Sequence, residues 1–99
     1  MTKVIKMLGE TGDFAEDKEV ARSLRVGVIM PALANGEKVM IDFEGVEGAT
    51  QSFVHALTSD PIRKYGDVAY DNLYYVNAND EVRKIISIVY RYMQESLED

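Results

Sequence analysis

Apolar residues recur along this chain at strand spacing in some stretches and helix spacing in others, and the changes of period divide it into elements. Lys3 to Leu8 alternates loosely and is rich in Val, Ile, Met and Leu, which predicts a first strand broken by Gly9-Glu10-Thr11-Gly12-Asp13. A helix should open between Asp13 and Asp17, with Glu16, Asp17 and Glu19 crowding its first turn, where the helix dipole favours negative charge. Its inward stripe at helical spacing is Val20, Leu24, Gly27 and Val28. Pro31 lacks an N–H and crowds the carbonyl of Gly27, so a kink or a helix in two pieces is expected before Asn35-Gly36 closes it.

Lys38 to Phe43 reads as the central strand, and its apolar positions Val39, Met40, Ile41 and Phe43 fall on both faces, which predicts burial on both sides. A loop from Glu44 to Ala49, punctuated by glycine, leads into a second helix from about Thr50 that turns Phe53, Ala56 and Leu57 to the sheet. Asp60-Pro61 resembles a fresh cap followed by proline at a first helical position, so this helix should restart or kink there before ending at Tyr65-Gly66. Gly66 to Asp71 reads either as loop or as a short edge strand. Leu73 to Val76 is a third strand by its aromatic and β-branched content, and Asn77 to Asp80 a turn and cap. Val82, Ile85, Ile86, Val89, Tyr92 and Met93 form the inward stripe of a last helix that exposes Arg83, Lys84, Arg91 and Glu95. Its acidic end, Glu95 to Asp99, sets negative charge at a helix C-terminus and should fray.

The order β-α-β-α-β-α implies a single α/β domain over residues 1–99, with a mostly parallel or mixed sheet of about three to five strands, right-handed crossovers and about three flanking helices. The stretch from Val39 to Leu57 organises it, because a buried strand that ends in an acid and feeds a polar loop and a helix N-terminus places side chains at the carboxyl edge of the sheet. Any functional site is expected there.

Composition narrows the chemistry. The 99 residues leave room for one modest core, and 46% hydrophobic with 28% charged residues is ordinary for a soluble globular chain. No apolar run approaches the ~20 residues of a bilayer span, and the first ten residues do not read as a secretory signal, so a cytoplasmic protein without a membrane role is expected. The absence of cysteine removes disulfides, thiolate zinc sites and cysteine nucleophiles, and the single histidine would leave a metal site to carboxylates alone. Neither a metal nor a cofactor is expected. A formal charge of −6 and a pI near 4.7 repel phosphate backbones, so nucleic acid is not the expected partner and a protein with a basic patch is.

Ile41-Asp42-Phe43-Glu44-Gly45-Val46, followed by Thr50-Gln51-Ser52-Phe53, resembles the strand-loop-helix core of the STAS-like family, small relatives of the sulfate transporter and anti-sigma factor antagonist domains. The resemblance implies a STAS-like fold and a non-enzymatic regulatory interaction module, switched by phosphorylation, that works with a separate ATPase-kinase or anti-sigma-type partner. In those antagonist domains the position matching Ser52 is a serine phosphorylated by a partner kinase. Their Asp-Ser-Ser-Gly is here Thr50-Gln51-Ser52-Phe53, which lacks the acid and the glycine. The resemblance centres partner contact on Asp42, the loop with Glu44 and Glu47, Thr50, Gln51, Ser52 and His55.

The same residues carry plainer readings. Asp42, costly to ionise inside an apolar strand unless hydrogen-bonded, can serve a site or simply accept N–H bonds from the following loop. Phosphate on Ser52 would meet unpaired N–H groups at a helix start, yet Thr50 and Ser52 are also good capping and first-turn residues unmodified. His55 follows Ser52 by three, so a small hydrolase or nucleotide-binding enzyme using Asp42, Ser52 and His55 is the alternative of a different class. The Gly-x-Ser-x-Gly elbow is missing, and Gly45 and Gly48 match no phosphate-binding loop spacing. The late tyrosines Tyr65, Tyr70, Tyr74, Tyr75, Tyr90 and Tyr92 cannot all be core, and suit either a core rim or an interface, self-association included.

Overall fold

The computed structural model describes residues 1–98, with side chains described for 1–95. In chain order the elements are β1 (Thr2–Lys6), α1 (Met7–Thr11), β2 (Phe14–Ala15), α2 (Lys18–Leu24), a π-helical segment (Arg25–Ile29), α3 (Met30–Ala34), β3 (Lys38–Asp42), β4 (Gly48–Ala49), α4 (Gln51–Tyr65), α5 (Asp67–Asn72), β5 (Leu73–Val76) and α6 (Asp80–Glu98). β1, β3 and β5 form a parallel sheet with β3 in the centre, and β2 and β4 make a second, two-stranded parallel ladder.

The connections β1 to β3 and β3 to β5 step the same way across the sheet. With the right-handed sense that parallel crossovers take, both lie on one face. Burial follows that rule: Ile5, Val39, Ile41 and Leu73 are buried, whereas their alternate neighbours Val4, Met40 and Tyr74 are not. The expected burial of β3 on both faces is therefore half right. Among the described residues no helix covers its second face.

The first strand ends at Lys6, because Met7 and Leu8 turn into α1 and Met7 becomes fully buried there. Asp17 caps α2 by accepting the Glu19 N–H at 2.9 Å. From Lys18 to Ala34 the chain stays helical, but through one wide turn just before Pro31, in which the Met30 N–H reaches the Arg25 carbonyl. A π turn inserts one residue into the helical phase. The buried stripe accordingly runs Ala21, Leu24, Ile29, Ala32 and Leu33 in place of the expected Val20, Leu24, Gly27 and Val28, and Gly27 is exposed. Asn35 and Gly36, at φ +72°, close the segment as expected.

Thr50 caps α4, accepting the Phe53 N–H at 3.1 Å, and Phe53, Val54, Leu57, Thr58 and Ile62 are buried along it. α4 runs unbroken through Pro61, so the restart expected at Asp60-Pro61 does not occur, and the helix ends at Tyr65-Gly66 as expected. Pro61 removes one N–H from the interior of α4 and is itself buried. One turn earlier the Arg25 guanidinium donates Nη1 to the Ala56 carbonyl at 2.7 Å, and its Nε lies 3.5 Å from Asp60 Oδ2. Arg25 thus ties the wide turn to the proline turn of α4, and Asp60 is a partner in that tie rather than a cap.

Gly66 to Asp71, left open between loop and strand, is helical from Asp67. α6 buries Val82, Ile86, Val89 and Met93, while Tyr92, expected inside, is 61% exposed and Tyr90 points inward instead. Tyr90 meets Tyr75 hydroxyl to hydroxyl at 2.6 Å, with Tyr70 edge-on to Tyr90 and Phe43 stacked on Tyr75. The backbone is helical to Glu98; Asp99 and the side chains of 96–98, on which most of the expected fraying falls, lie outside the described residues. Among the described residues no helix is long and apolar enough to cross a membrane.

Two outcomes follow for stability. Arg25→Met keeps the aliphatic stem and removes a charge-assisted bond to a helix carbonyl, so chemical denaturation should show a loss of about 1.5–3 kcal/mol. Burial raises the Tyr75 hydroxyl well above its usual range and pushes Tyr90 up to about 12. Unfolded tyrosine titrates near ~10, so the pair's contribution is complete below that pH and lost as pH rises through the folded values. Tyrosinate absorbance should show these two titrating last, together with alkaline unfolding.

Candidate functional site

The carboxyl ends of β1, β3 and β5 converge on the loop after β3, and two asparagines hold that loop in place. Asn77, at φ +56° just after β5, donates Nδ2 to Asp42 Oδ1 at 3.0 Å, and the same oxygen accepts the Glu44 N–H at 2.9 Å. These bonds, the one from Asn77 above all, hold the half-exposed Asp42 carboxyl below its usual range, with Lys6 adding a smaller attraction. Asn79 Nδ2 donates to the Glu47 carbonyl at 2.9 Å and its Oδ1 accepts the Val82 N–H at 2.8 Å, so one side chain caps α6 and pins the loop. Asp42 therefore fixes loop shape, the plainer of its two readings.

The loop's glycines permit close approach. Gly45 has φ +84°, and a Cβ there would sit 2.7 Å from Leu8 Cδ2; a Cβ on Gly48 would sit 2.8 Å from the Phe14 ring. Leu8 and Phe14 lie over the loop, each 45% exposed, beside the exposed Glu44 and Glu47. The Glu47 N–H donates to the Asp13 carbonyl at 2.7 Å, and β2 pairs Phe14 with Gly48, which fastens the loop to the segment after α1.

Past the loop, α4 opens into a groove of about 530 Å³ floored by Ala56 and Val89 and lined by Lys18, Gln51, Ser52, His55 and Tyr92. Ser52 and His55 are exposed, as their shared helix face predicts, and Gln51 joins them. Thr50 differs: its hydroxyl is occupied as the cap of α4. Asp42 is not part of this groove, and no hydrogen bond links it to Ser52 or His55 among the described residues. The three residues of the hydrolase alternative are thus split between a loop root and a groove. Among the described residues no cluster of three or more His, Asp or Glu is placed to hold a metal ion.

A family model described as a STAS-like domain of unknown function, DUF4325, matches residues 20–83, from α2 through the first turn of α6. The chain belongs to this STAS-like family. No curated protein and no solved structure matches it. The matched stretch of the STAS-like domain contains β3, β5, α4 and the whole loop, while β1 and most of α6 complete the sheet and the helix layer outside it.

Four residues around the site escaped the sequence. Lys18 sits in an acidic stretch, and nothing in its neighbours announces that α2 will bring it to the groove that Ser52 lines. Tyr92 falls on the periodic stripe of the last helix, Leu8 on the alternation of the first strand, and Phe14 within the expected opening of the first helix. Their exposure depends on how α1, β2 and α6 pack, which local periodicity does not encode.

The Asn77 bond gives a pH test. Asn77→Gly retains the positive φ and removes the amide donor, so the Asp42 carboxyl should rise toward the ordinary range near ~3.9 in a carboxyl NMR titration. In the unaltered protein a depressed folded value means that Asp42 adds stability above its unfolded range, lost as pH falls through the folded value. That acid-side slope should shrink in Asn77→Gly.

Proposed function

We propose that this STAS-like domain is a non-enzymatic regulatory module that binds a protein partner through the loop after β3 and the groove of α4, and that phosphate on Ser52 switches the binding. The observation that carries the reading is the position of Ser52: exposed in the first turn of α4 and lining an open groove that Lys18 of α2 also lines. Phosphate there gains both the unpaired N–H groups of the helix start and a nearby ammonium. Thr50 is a poorer acceptor, because modifying its hydroxyl would disturb the cap to Phe53.

Partner contact extends from the groove to Glu44, Glu47, Leu8 and Phe14. Acidic side chains around two half-exposed apolar ones suit a basic partner surface with apolar anchors, an arrangement in which charge speeds encounter and apolar burial holds the complex. An anti-sigma-type ATPase-kinase, the partner class implied by the resemblance, would supply both the phosphate and the surface. A catalytic role for Asp42, Ser52 and His55 has no such support, since Asp42 is engaged elsewhere.

Intact-mass spectrometry with site mapping on protein from its own cells tests the switch, with phosphate expected on Ser52 and absent from Thr50. Against the partner so identified, Ser52→Asp should shift affinity by about 1–3 kcal/mol. The double reversal Glu44→Lys/Glu47→Lys should slow association by about tenfold or more at low salt, and the difference should shrink as salt rises. Unchanged binding in both variants would remove the loop and groove from the contact.

A further inference from the structure

The helix layer leaves one face of the three-stranded sheet bare. Val4, Met40 and Tyr74 are neighbours in one row across β1, β3 and β5 on that face. Val4 is 55% exposed and Tyr74 40%, and Met40 is only half-buried by its neighbours. Toward the amino ends of the strands the next row holds Thr2 and Lys38; toward the carboxyl ends it holds Lys6, Asp42 and Val76. Parallel sheets in α/β proteins are covered on both faces, because a layer of helices or another sheet must shield apolar rows of this kind. We propose that a second copy of this chain covers the bare face, the two sheets packing face to face about a twofold axis that crosses the strands at the Val4, Met40, Tyr74 row.

Charge selects both the occupant and the orientation. A twofold axis along β3 would stack Lys38 on Lys38 and Asp42 on Asp42, like charge on like. An axis across the strands through Met40 instead sets Lys38, two residues before it, against Asp42 of the other copy, two residues after it. Symmetry makes that pair twice, and the apolar row meets its own image. The face is therefore complementary to itself in one arrangement. Both charged groups are free to take part: only Oδ1 of Asp42 is engaged among the described residues, and Lys38 is exposed with its Nζ 5.8 Å from the centre of the Tyr74 ring.

The footprint sets the strength. Three strands ~4.8 Å apart and four or five residues long present a patch far smaller than the ~800 Å² per partner of a standard interface. The formal charge of −6 on each copy also opposes association. The dimer is thus weak and reversible. It leaves the α4 groove, on the helix side of the sheet, open to a partner, so it stands or falls separately from the Ser52 switch.

Sedimentation velocity on the full chain from tens of micromolar to about one millimolar reads the equilibrium directly. The expected result is a concentration-dependent rise from the 11.1 kDa monomer toward twice that mass. Val4→Glu and Tyr74→Glu, which lie on opposite edge strands but the same face, should each weaken the dimer by about tenfold or more by burying an unpaired charge. Lys38→Asp should do the same by setting acid against Asp42, and, being exposed, it keeps the fold, which circular dichroism checks. A monomer throughout the range overturns the proposal. So does a dimer sensitive only to Val4→Glu, which would mean edge pairing through β1, and so does one indifferent to all three changes.

Discussion

The handedness of two crossovers governs this molecule. Because β1 to β3 and β3 to β5 advance in the same direction, right-handed connections must both cross the same face of the sheet. That single constraint stacks α2, the π turn, α3 and α4 into one layer, and α6 closes the layer when Tyr90 finds Tyr75. Residues of alternate parity along each strand therefore live in different solvents: Ile5, Val39 and Ile41 in the core, Val4 and Tyr74 in water. A sheet that stepped back and forth would have taken helices on both sides.

A layer of this kind must fit its helices together without a second core to absorb mismatch. Two prolines make the fit difficult, since each deletes an N–H from a helix. A widened turn precedes Pro31, while α4 runs through Pro61 unbroken, with the Arg25 guanidinium bonded to the Ala56 carbonyl about one turn earlier. The two irregularities face each other across one side chain.

The carboxyl edge uses a different economy, polar and local. Asn77 and Asn79, two residues apart, grip Asp42 and the Glu47 carbonyl, so the end of β5 and the start of α6 jointly shape the loop after β3. Gly45 and Gly48 let Leu8 and Phe14 settle on that loop. Glu44, Glu47, Leu8 and Phe14 give that loop an acidic, partly apolar surface. The groove and the loop are adjacent yet chemically separate, because Asp42 is committed to structure.

Local chemistry was readable in advance. The three strands, the caps at Thr50 and around Asn77 to Asp80, the left-handed close at Gly36, the last helix and the likeness of Asp42 to Ser52 to a STAS-like core all rest on spacing or on residue type, and short-range sterics and hydrogen bonding decide such features wherever the chain ends up. The membership of residues 20–83 in that family agrees with the motif reading. What failed in the sequence failed where distant segments decide. The π turn rephased the first helical stripe, α4 continued through Pro61, and Tyr90 rather than Tyr92 turned inward to meet Tyr75. Spacing and residue type alone carried the three main strands, the main helical stretches between and after them, and the residues at the sheet's carboxyl edge. Only tertiary packing decided which face of the sheet stayed open and which of the candidate site residues share a groove, since both depend on contacts between residues far apart in the chain.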